Sequence, residues 1–473
     1  MNTTSMRRHA LSPRVRLAAA LCAACLAVGC PADAPTRTNV VLVLLDTVRA
    51  DKLGCYGNER GLTPNLDAFA AGATLFENAS SHAPWTLPAT ASIYTGLLPT
   101  RHGAGGFIPK LTALSEQPRT LAELARAAGC ATHAIVNVAF LGASFGMTRG
   151  FDTVDERYFE NNEQVRRADE SVDLARAWID AHASGPFFLV LHLFDAHAVY
   201  DPPQPFRRRF ARPEDAESDR FAFGSRADMV ALRSGQMDLD PHTLARAEAL
   251  YDGEIAFVDA QLGRLLAHLS AAGLEQRTLV AVTSDHGEEF LEHGGFEHGH
   301  SHYTELLHVP LIVRHPSWPS GTRVAQAVSH ADLLPTISEL AQWSRADGVD
   351  GVSLTPLVRE PRSPGHAALA IGNFWGPPLA SLRTANEKLI VFPAGSSRPP
   401  ELYLWREDPL ELWNVGPARP DDALDLQRRL QSALQRLEAL ASPARPASVD
   451  EATRKVLETI GYTDSAPVAP GQR

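Results

Sequence analysis

Asn39-Val40-Val41-Leu42-Val43-Leu44-Leu45-Asp46 is an unbroken run of valine and leucine that ends on a carboxylate. A strand with one face in water alternates polar and apolar residues. A continuous run buries both faces, which marks a parallel sheet covered by helices. Phe187-Phe188-Leu189-Val190-Leu191-His192-Leu193, Thr278-Leu279-Val280-Ala281-Val282-Thr283 and Val309-Pro310-Leu311-Ile312-Val313 repeat the texture further on. Between them, residues 121–128, 168–183 and 244–269 set apolar side chains three and four apart, the helical period. The rhythm is βαβ, so the expected class is α/β, a largely parallel sheet with helices on both faces. From residue 371 the texture changes to short strand-like pieces at 379–382, 388–391 and 401–403, which suggests a small antiparallel subdomain. A helical pattern follows at 421–440. The expected organisation is an export signal at 1–29, a linker at 30–38, the α/β domain at 39–365, the C-terminal subdomain at 366–442 and a tail at 443–473 with one short helix near 451–460. Residues 202–240, rich in Arg, Asp and Pro, read as a surface excursion.

The chain has 473 residues, 44% hydrophobic and 21% charged, which is the composition of a soluble globular protein and neither a disordered chain nor a multi-span membrane protein. Its formal charge of −11 becomes −15 without the leader, which carries Arg7, Arg8, Arg14 and Arg16 and no acidic residue. Such a surface repels nucleic acid, so no nucleic-acid partner is expected. The leader arginines precede an apolar stretch at 17–28 whose length and charge fit an export signal and fall short of a membrane span. Leu26-Ala27-Val28-Gly29-Cys30 looks like a lipoprotein cleavage box with Cys30 as the acylated first residue; cleavage after Ala34 in Ala32-Asp33-Ala34, or an uncleaved anchor, are the other readings. Every branch puts the body outside the cytoplasm; the Cys30 branch makes it a periplasmic, outer-membrane or cell-surface lipoprotein whose membrane contact is the N-terminal lipid. Only Cys55 and Cys130 remain in the body. They read as two small buried hydrophobes, although the compartment allows a single bridge between them.

In open α/β sheets, chemistry collects where strands end at their carboxyl edge. Asp46 follows the first run, and Ser284-Asp285-His286-Gly287-Glu288-Glu289 follows the third, so a carboxylate and an imidazole stand side by side after a buried strand. That pair suits a divalent cation; Asp and Gly are also ordinary turn residues. His197 sits just past another strand. Glu292-His293-Gly294-Gly295-Phe296-Glu297-His298-Gly299-His300-Ser301-His302 carries more imidazoles than a core would hold, which makes it a metal or anion site or a solvated loop. In Trp85-Thr86-Leu87-Pro88 a threonine enters a helix expected to begin near Pro88. Its hydroxyl is an N-cap, an anion contact, or a nucleophile whose pKa a bound divalent metal would lower.

Taken together, Leu44-Leu45-Asp46-Thr47-Val48-Arg49-Ala50-Asp51, Thr63-Pro64-Asn65-Leu66-Asp67, Thr86-Leu87-Pro88 with Tyr94-Thr95-Gly96, Pro99-Thr100-Arg101-His102-Gly103, Ser284-Asp285-His286-Gly287-Glu288 and Val309-Pro310-Leu311-Ile312-Val313-Arg314 resemble the sulfatase family of the alkaline-phosphatase superfamily, from about residue 39 to about 414. Three departures accompany the match. Where such sulfatases make formylglycine from Cys or Ser in C/S-x-P-x-R, this chain has Thr86-Leu87-Pro88-Ala89-Thr90, without the arginine. The usual Asp-Asp pair is Asp46-Thr47. The family's Lys-x-His-Leu-Gly segment is Val138-Ala139-Phe140-Leu141-Gly142, and the whole chain has only Lys52, Lys110, Lys388 and Lys455.

Carried over residue by residue, Asp46, Thr86, Asp285 and His286 resemble the one-metal set of the superfamily's Thr-nucleophile phosphoethanolamine transferases and lipoteichoic-acid synthases. The resemblance implies one divalent ion, with Zn²⁺ or Mn²⁺ favoured by the ligand types and Ca²⁺ as the alternative. It also implies attack by Thr86 on sulfur or phosphorus through a covalent ester, His298 protonating the leaving oxygen and His197 holding a non-bridging oxygen. His300, His302 and Arg49 are further candidates. The expected activity is metal-dependent hydrolysis of sulfate or phosphate esters on a glycan, lipid or small molecule. The alternatives are a phospho-headgroup transferase, whose relatives usually carry several membrane spans, and a catalytically silent glycan-binding lipoprotein.

Overall fold

The run at 39–45 becomes the middle of a nine-stranded sheet in a computed structural model that describes Met1 and residues 38–157, 165–212, 228, 231–232, 236–360, 363, 365–459 and 462. The strands are β1 (Asn39–Leu45), β2 (Thr74–Ser80), β3 (Ala131–Val136), β4 (Thr153–Glu156), β5 (Phe187–Leu193), β6 (Thr278–Ser284), β7 (His308–Val309), β8 (Leu311–Arg314) and β9 (Thr322–Ser329). β1 lies between β5 and β6, parallel to both, and β3 and β4 continue the parallel array beyond β5. The residues 309–313 depart from the parallel pattern. Pro310 has no N–H for the ladder and splits them into β7 and β8, which run antiparallel to β2, with β8 also antiparallel to β6. β9 then pairs parallel with β2. The sheet is therefore mixed and mostly parallel.

Side chains alternate across each strand, so β1 feeds two cores. Val40, Leu42 and Leu44 pack with Leu87, Ala91 and Ile93 of one helix, α2 (Thr86–Thr95), while Val41, Val43 and Leu45 pack on the opposite face. That second core is closed by α1 (Pro64–Ala71), α4 (Ala168–His182) and α5 (Pro241–Ala271); α3 (Leu121–Ala127) and α6 (Leu333–Leu340) join α2 on the first. Thr120 caps α3 through a reciprocal Thr120–Glu123 box, and Asp240 caps α5 by accepting from the N–H groups of His242 and Thr243. Cys130 lies in the first core and Cys55 packs against the second, across the sheet, and the two form no disulfide.

Strands β10 (Ala368–Ile371), β11 (Ala380–Arg383), β12 (Lys388–Val391) and β13 (Glu401–Tyr403) form an antiparallel sheet in sequential order. Helix α7 (Pro420–Ala439) lays Leu426 and Leu430 on Leu382, Leu389 and Leu402. Helix α8 (Glu451–Thr459) follows. No described helix is long and apolar enough to cross a membrane. The expected export signal, the Cys30 acylation site, the alternative cleavage after Ala34, the middle of the 202–240 excursion and most of the last residues of the tail lie outside the described residues.

Candidate active site

Register alone brings the two aspartates together. β1 and β6 are parallel with Leu45 opposite Ser284, so the next residue of each strand, Asp46 and Asp285, leaves the sheet at the same point of its carboxyl edge. The Ser284 hydroxyl ties the two strand ends, lying 2.8 Å from the Leu45 carbonyl and 2.7 Å from the His286 carbonyl and accepting from the Val48 N–H at 2.9 Å. Gly287 is required for the turn that follows, because a Cβ there would fall 1.9 Å from the Glu305 carbonyl oxygen. Thr47 takes a left-handed φ of 58°, which aims its N–H at Asp285 Oδ1 (3.3 Å). A β-branched residue holds that conformation at a cost of about 1–3 kcal/mol. Its own hydroxyl turns back to donate to the Asp46 carbonyl at 2.8 Å.

Three donor atoms face one another across a small buried space. His286 Nδ1 donates to the Gly287 carbonyl at 3.0 Å, which leaves the Nε2 lone pair pointing inward. That Nε2 lies 3.3 Å from Asp285 Oδ2, 3.9 Å from Asp46 Oδ1 and 3.3 Å from Thr86 Oγ1. Asp46 Oδ1 and Asp285 Oδ2 are both buried with no hydrogen-bond partner. Burial first, and then the charge of Asp285, raise the Asp46 pKa well above the ordinary carboxylate value, against the opposing pull of His286. Two bare carboxylate oxygens and an imidazole lone pair, all within 4.8 Å of one another, are what a divalent cation needs and what an apolar core avoids. The residues present therefore fit a metal ion.

Thr86 is the first residue of α2, and the extended Trp85 is the cap; the helix begins two residues before Pro88, and Thr86 is no N-cap. Its hydroxyl faces His286 instead. His298 follows the short Phe296–Glu297 strand, with its ring 4.5 Å from that of His286 and 4.9 Å from that of His197. Glu288 Oε1 accepts from His298 Nδ1 at 2.8 Å, and the other Glu288 oxygen accepts from Tyr200. His197 donates Nδ1 to the Ala198 carbonyl and stacks on Phe194 at 4.4 Å.

The structure thus brings together Asp46, Thr86, Asp285 and His286, with His298 and His197 adjoining. It sends the other candidates elsewhere. Arg49 is engaged by Asp51, Glu292 and the Glu288 carbonyl. His300 pairs with Glu289 at 2.8 Å. His302 bridges Ser381 Oγ and the Gly372 carbonyl, fastening the C-terminal sheet, and burial lowers its pKa to about 4. The cluster at 292–302 thus splits: one imidazole joins the site, and His300 and His302 hold its frame.

Sequence reasoning missed His192, Glu288 and Tyr462. His192 stands opposite Leu44 in the β1–β5 register, and so on the same face as Asp46. The Asn137 N–H donates to its Nδ1 at 3.3 Å, so Nε2–H donates to Asp46 Oδ2 at 3.0 Å. Burial lowers its pKa to about 4, which keeps it a neutral donor. A histidine inside an otherwise apolar strand was its only signal. Phe140 fills the segment where Lys and His are missing, fully buried and edge-on to Trp85 at 5.5 Å.

A sulfatase family model matches residues 38–343. The chain is 26% identical to an arylsulfatase of Clostridium perfringens over 444 residues, 80% of this chain and 90% of that protein. It superposes on the crystal structure of a phosphonate monoester hydrolase of Agrobacterium radiobacter with a TM-score of 0.69 at 22% identity, covering 92% of this chain and 99% of that one. A structure solved in complex with its substrate D-glucosamine-2-N,6-O-disulfate gives a TM-score of 0.66 at 19% identity, covering 85% and 99%. Its motifs, its alkaline-phosphatase-like fold and the match over most of its length make the chain a member of the sulfatase family, a family of sulfuric ester hydrolases.

Proposed function

We propose that the chain hydrolyses sulfate esters with Thr86 as the nucleophile. The observation that carries the reading is the placement of the Thr86 hydroxyl 3.3 Å from His286 Nε2, beside the unpartnered oxygens of Asp46 and Asp285. Asp46, Asp285 and His286, with Thr86 as a fourth donor, hold the cation, for which Zn²⁺ or Mn²⁺ suits the mixed N/O set and Ca²⁺ is the alternative. A divalent ion there lowers the pKa of the threonine hydroxyl and offsets the charge of the ester. Thr86 Oγ1, its proton lost to solvent, attacks the sulfur, the bond to the leaving oxygen breaks, and His298, as an imidazolium, gives that oxygen its Nε2 proton. His197 donates to a non-bridging oxygen through Nε2 as an imidazolium, its Nδ1–H being held by the Ala198 carbonyl. Water then attacks the sulfur of the Thr86 ester, handing a proton to the now neutral His298, and the bond from sulfur to Thr86 Oγ1 breaks to release sulfate and free the threonine oxygen.

Phosphate esters are the second reading, favoured by Thr86 itself, which cannot become the aldehyde hydrate of formylglycine sulfatases. Substrates of sulfated-sugar type fit the family, and residues 1–30 fit an exported lipoprotein anchored through Cys30. The test is turnover of 4-nitrophenyl sulfate and 4-nitrophenyl phosphate with and without added metal, together with a mass search for an adduct on Thr86. Metal-dependent release that Thr86→Ala abolishes supports the reading; undiminished release by Thr86→Ala overturns it. Transfer of the group to an alcohol but never to water would favour the transferase.

A further inference from the structure

We infer that Tyr462, from the segment after α8, is a positioning residue for His298 and sets the size of the leaving-group pocket; the inference rests on the ester-hydrolase reading above. Its phenol lies 2.9 Å from His298 Nε2, the nitrogen that would serve the leaving oxygen. Glu288 accepts from Nδ1 on the far side of the same ring, so Nε2 of the neutral imidazole accepts from the tyrosine O–H, and Nε2–H of the imidazolium that serves the leaving oxygen donates to the phenol oxygen at the same place. The ring is thereby held at both nitrogens, by Glu288 from the loop after β6 and by Tyr462 from 164 residues further along the chain.

The tyrosine is built into the site. It is only 3% exposed, edge-on to Phe140 at 4.8 Å and to Phe374 at 4.7 Å, and parallel to Trp375 at 6.2 Å, with His197 at 6.5 Å. Phe374 and Trp375 are themselves fixed beside His298, since both their N–H groups donate to the Gly299 carbonyl at 2.8 Å. The segment where relatives place Lys and His contributes Phe140 to the same wall, so an aromatic surface stands next to His298. Apolar rings of fixed position discriminate by shape; hydroxyl removal and ring removal should therefore have different effects.

The test compares the full chain with Tyr462→Phe and Tyr462→Ala, using 4-nitrophenyl and bulkier 4-methylumbelliferyl esters, with thermal melts to verify folding. Tyr462→Phe should keep KM within about twofold and lower kcat about tenfold, because it frees the His298 ring without changing the pocket. Tyr462→Ala should raise the ratio of kcat/KM for the bulkier over the smaller ester by about fivefold or more, as expected for opening an apolar pocket. Unchanged kcat in Tyr462→Phe together with an unchanged ester ratio in Tyr462→Ala overturns the inference. Histidine-selective ¹⁵N spectra, with the His298 signals assigned from His298→Gln, give a reading independent of turnover. A shift of the His298 Nε2 resonance in Tyr462→Phe supports the contact, and an identical resonance overturns it. A folded wild-type chain that turns over neither ester defeats the hydrolase reading, while the resonance still decides the Tyr462 contact.

Discussion

At the scale of single residues, the site is a set of side chains each oriented by one other. His192 carries no ligand atom toward the cation space, yet its Nε2–H holds one oxygen of Asp46 and so turns the other inward. Replacing such an outer partner costs about 10–100-fold in metal affinity in comparable sites. His192→Ala should therefore weaken divalent-ion binding by that factor, measured by competition with a chromophoric chelator, while unfolding stays cooperative. Thr86→Ala should lower turnover by several orders of magnitude yet leave ion binding largely in place, since Asp46, Asp285 and His286 remain. Loss of the ion without loss of turnover would reverse those roles. Some of this was legible in sequence. Asp46, Asp285 and His286 end or follow continuous apolar strands, and Thr86 stands between Pro84 and Pro88. The partner of Asp46 was hidden because a histidine within an apolar run gives no sign of which face it occupies until the register is known.

At the scale of elements, the loop from residue 285 to 305 is braced by acid–imidazole pairs, Glu289–His300 at 2.8 Å and His293–Glu305 at 2.7 Å. Burial opposes charge on His293, but the hydrogen bond and charge of Glu305, with the Glu411 carbonyl, outweigh it and hold the imidazole at about 9. Burial also pushes the Glu305 carboxyl upward, so the pair behaves as two buried groups sharing a proton. A histidine raised in this way stabilises the fold fully below its unfolded value of about 6.5, and the contribution disappears as pH rises through about 9. The midpoint of thermal unfolding should fall over that window in the wild type and fall less in His293→Gln; identical slopes would remove the pair from the stability of the loop. In the sheet, Leu42→Ala should cost about 2–5 kcal/mol in denaturant unfolding, because Leu42 is fully buried at the centre of β1. The fully buried strands were readable from their lack of alternation. β2, β3 and β9 were not, because Thr74-Leu75-Phe76-Glu77-Asn78 and Thr322-Arg323-Val324-Ala325-Gln326 interleave polar residues. The start of α2 was readable only to within a turn, because Pro88 fits the first turn of a helix and cannot say which residue opens it.

At the scale of the whole molecule, two distant parts of the chain meet at one edge of the sheet. The α/β fold and the antiparallel C-terminal sheet could be read from texture, but their junction could not. His302 on Ser381 and Gly372, the His82 carbonyl accepting from Ile371, and Tyr462 on His298 each span 70 or more residues and leave no local pattern. If the leader acts as an export signal with a lipid anchor, Cys30→Ala should release the protein from the membrane fraction and leave catalysis by the soluble chain unchanged. Retention in the membrane fraction would argue for an uncleaved anchor. The most direct measurement is the divalent metal content of the purified chain and of Asp285→Asn, by elemental analysis after removal of loosely bound ions. One ion per wild-type chain, lost together with ester hydrolysis in Asp285→Asn and when the wild type is chelated, is the expected result. Full hydrolysis by a wild-type chain stripped of metal would contradict it.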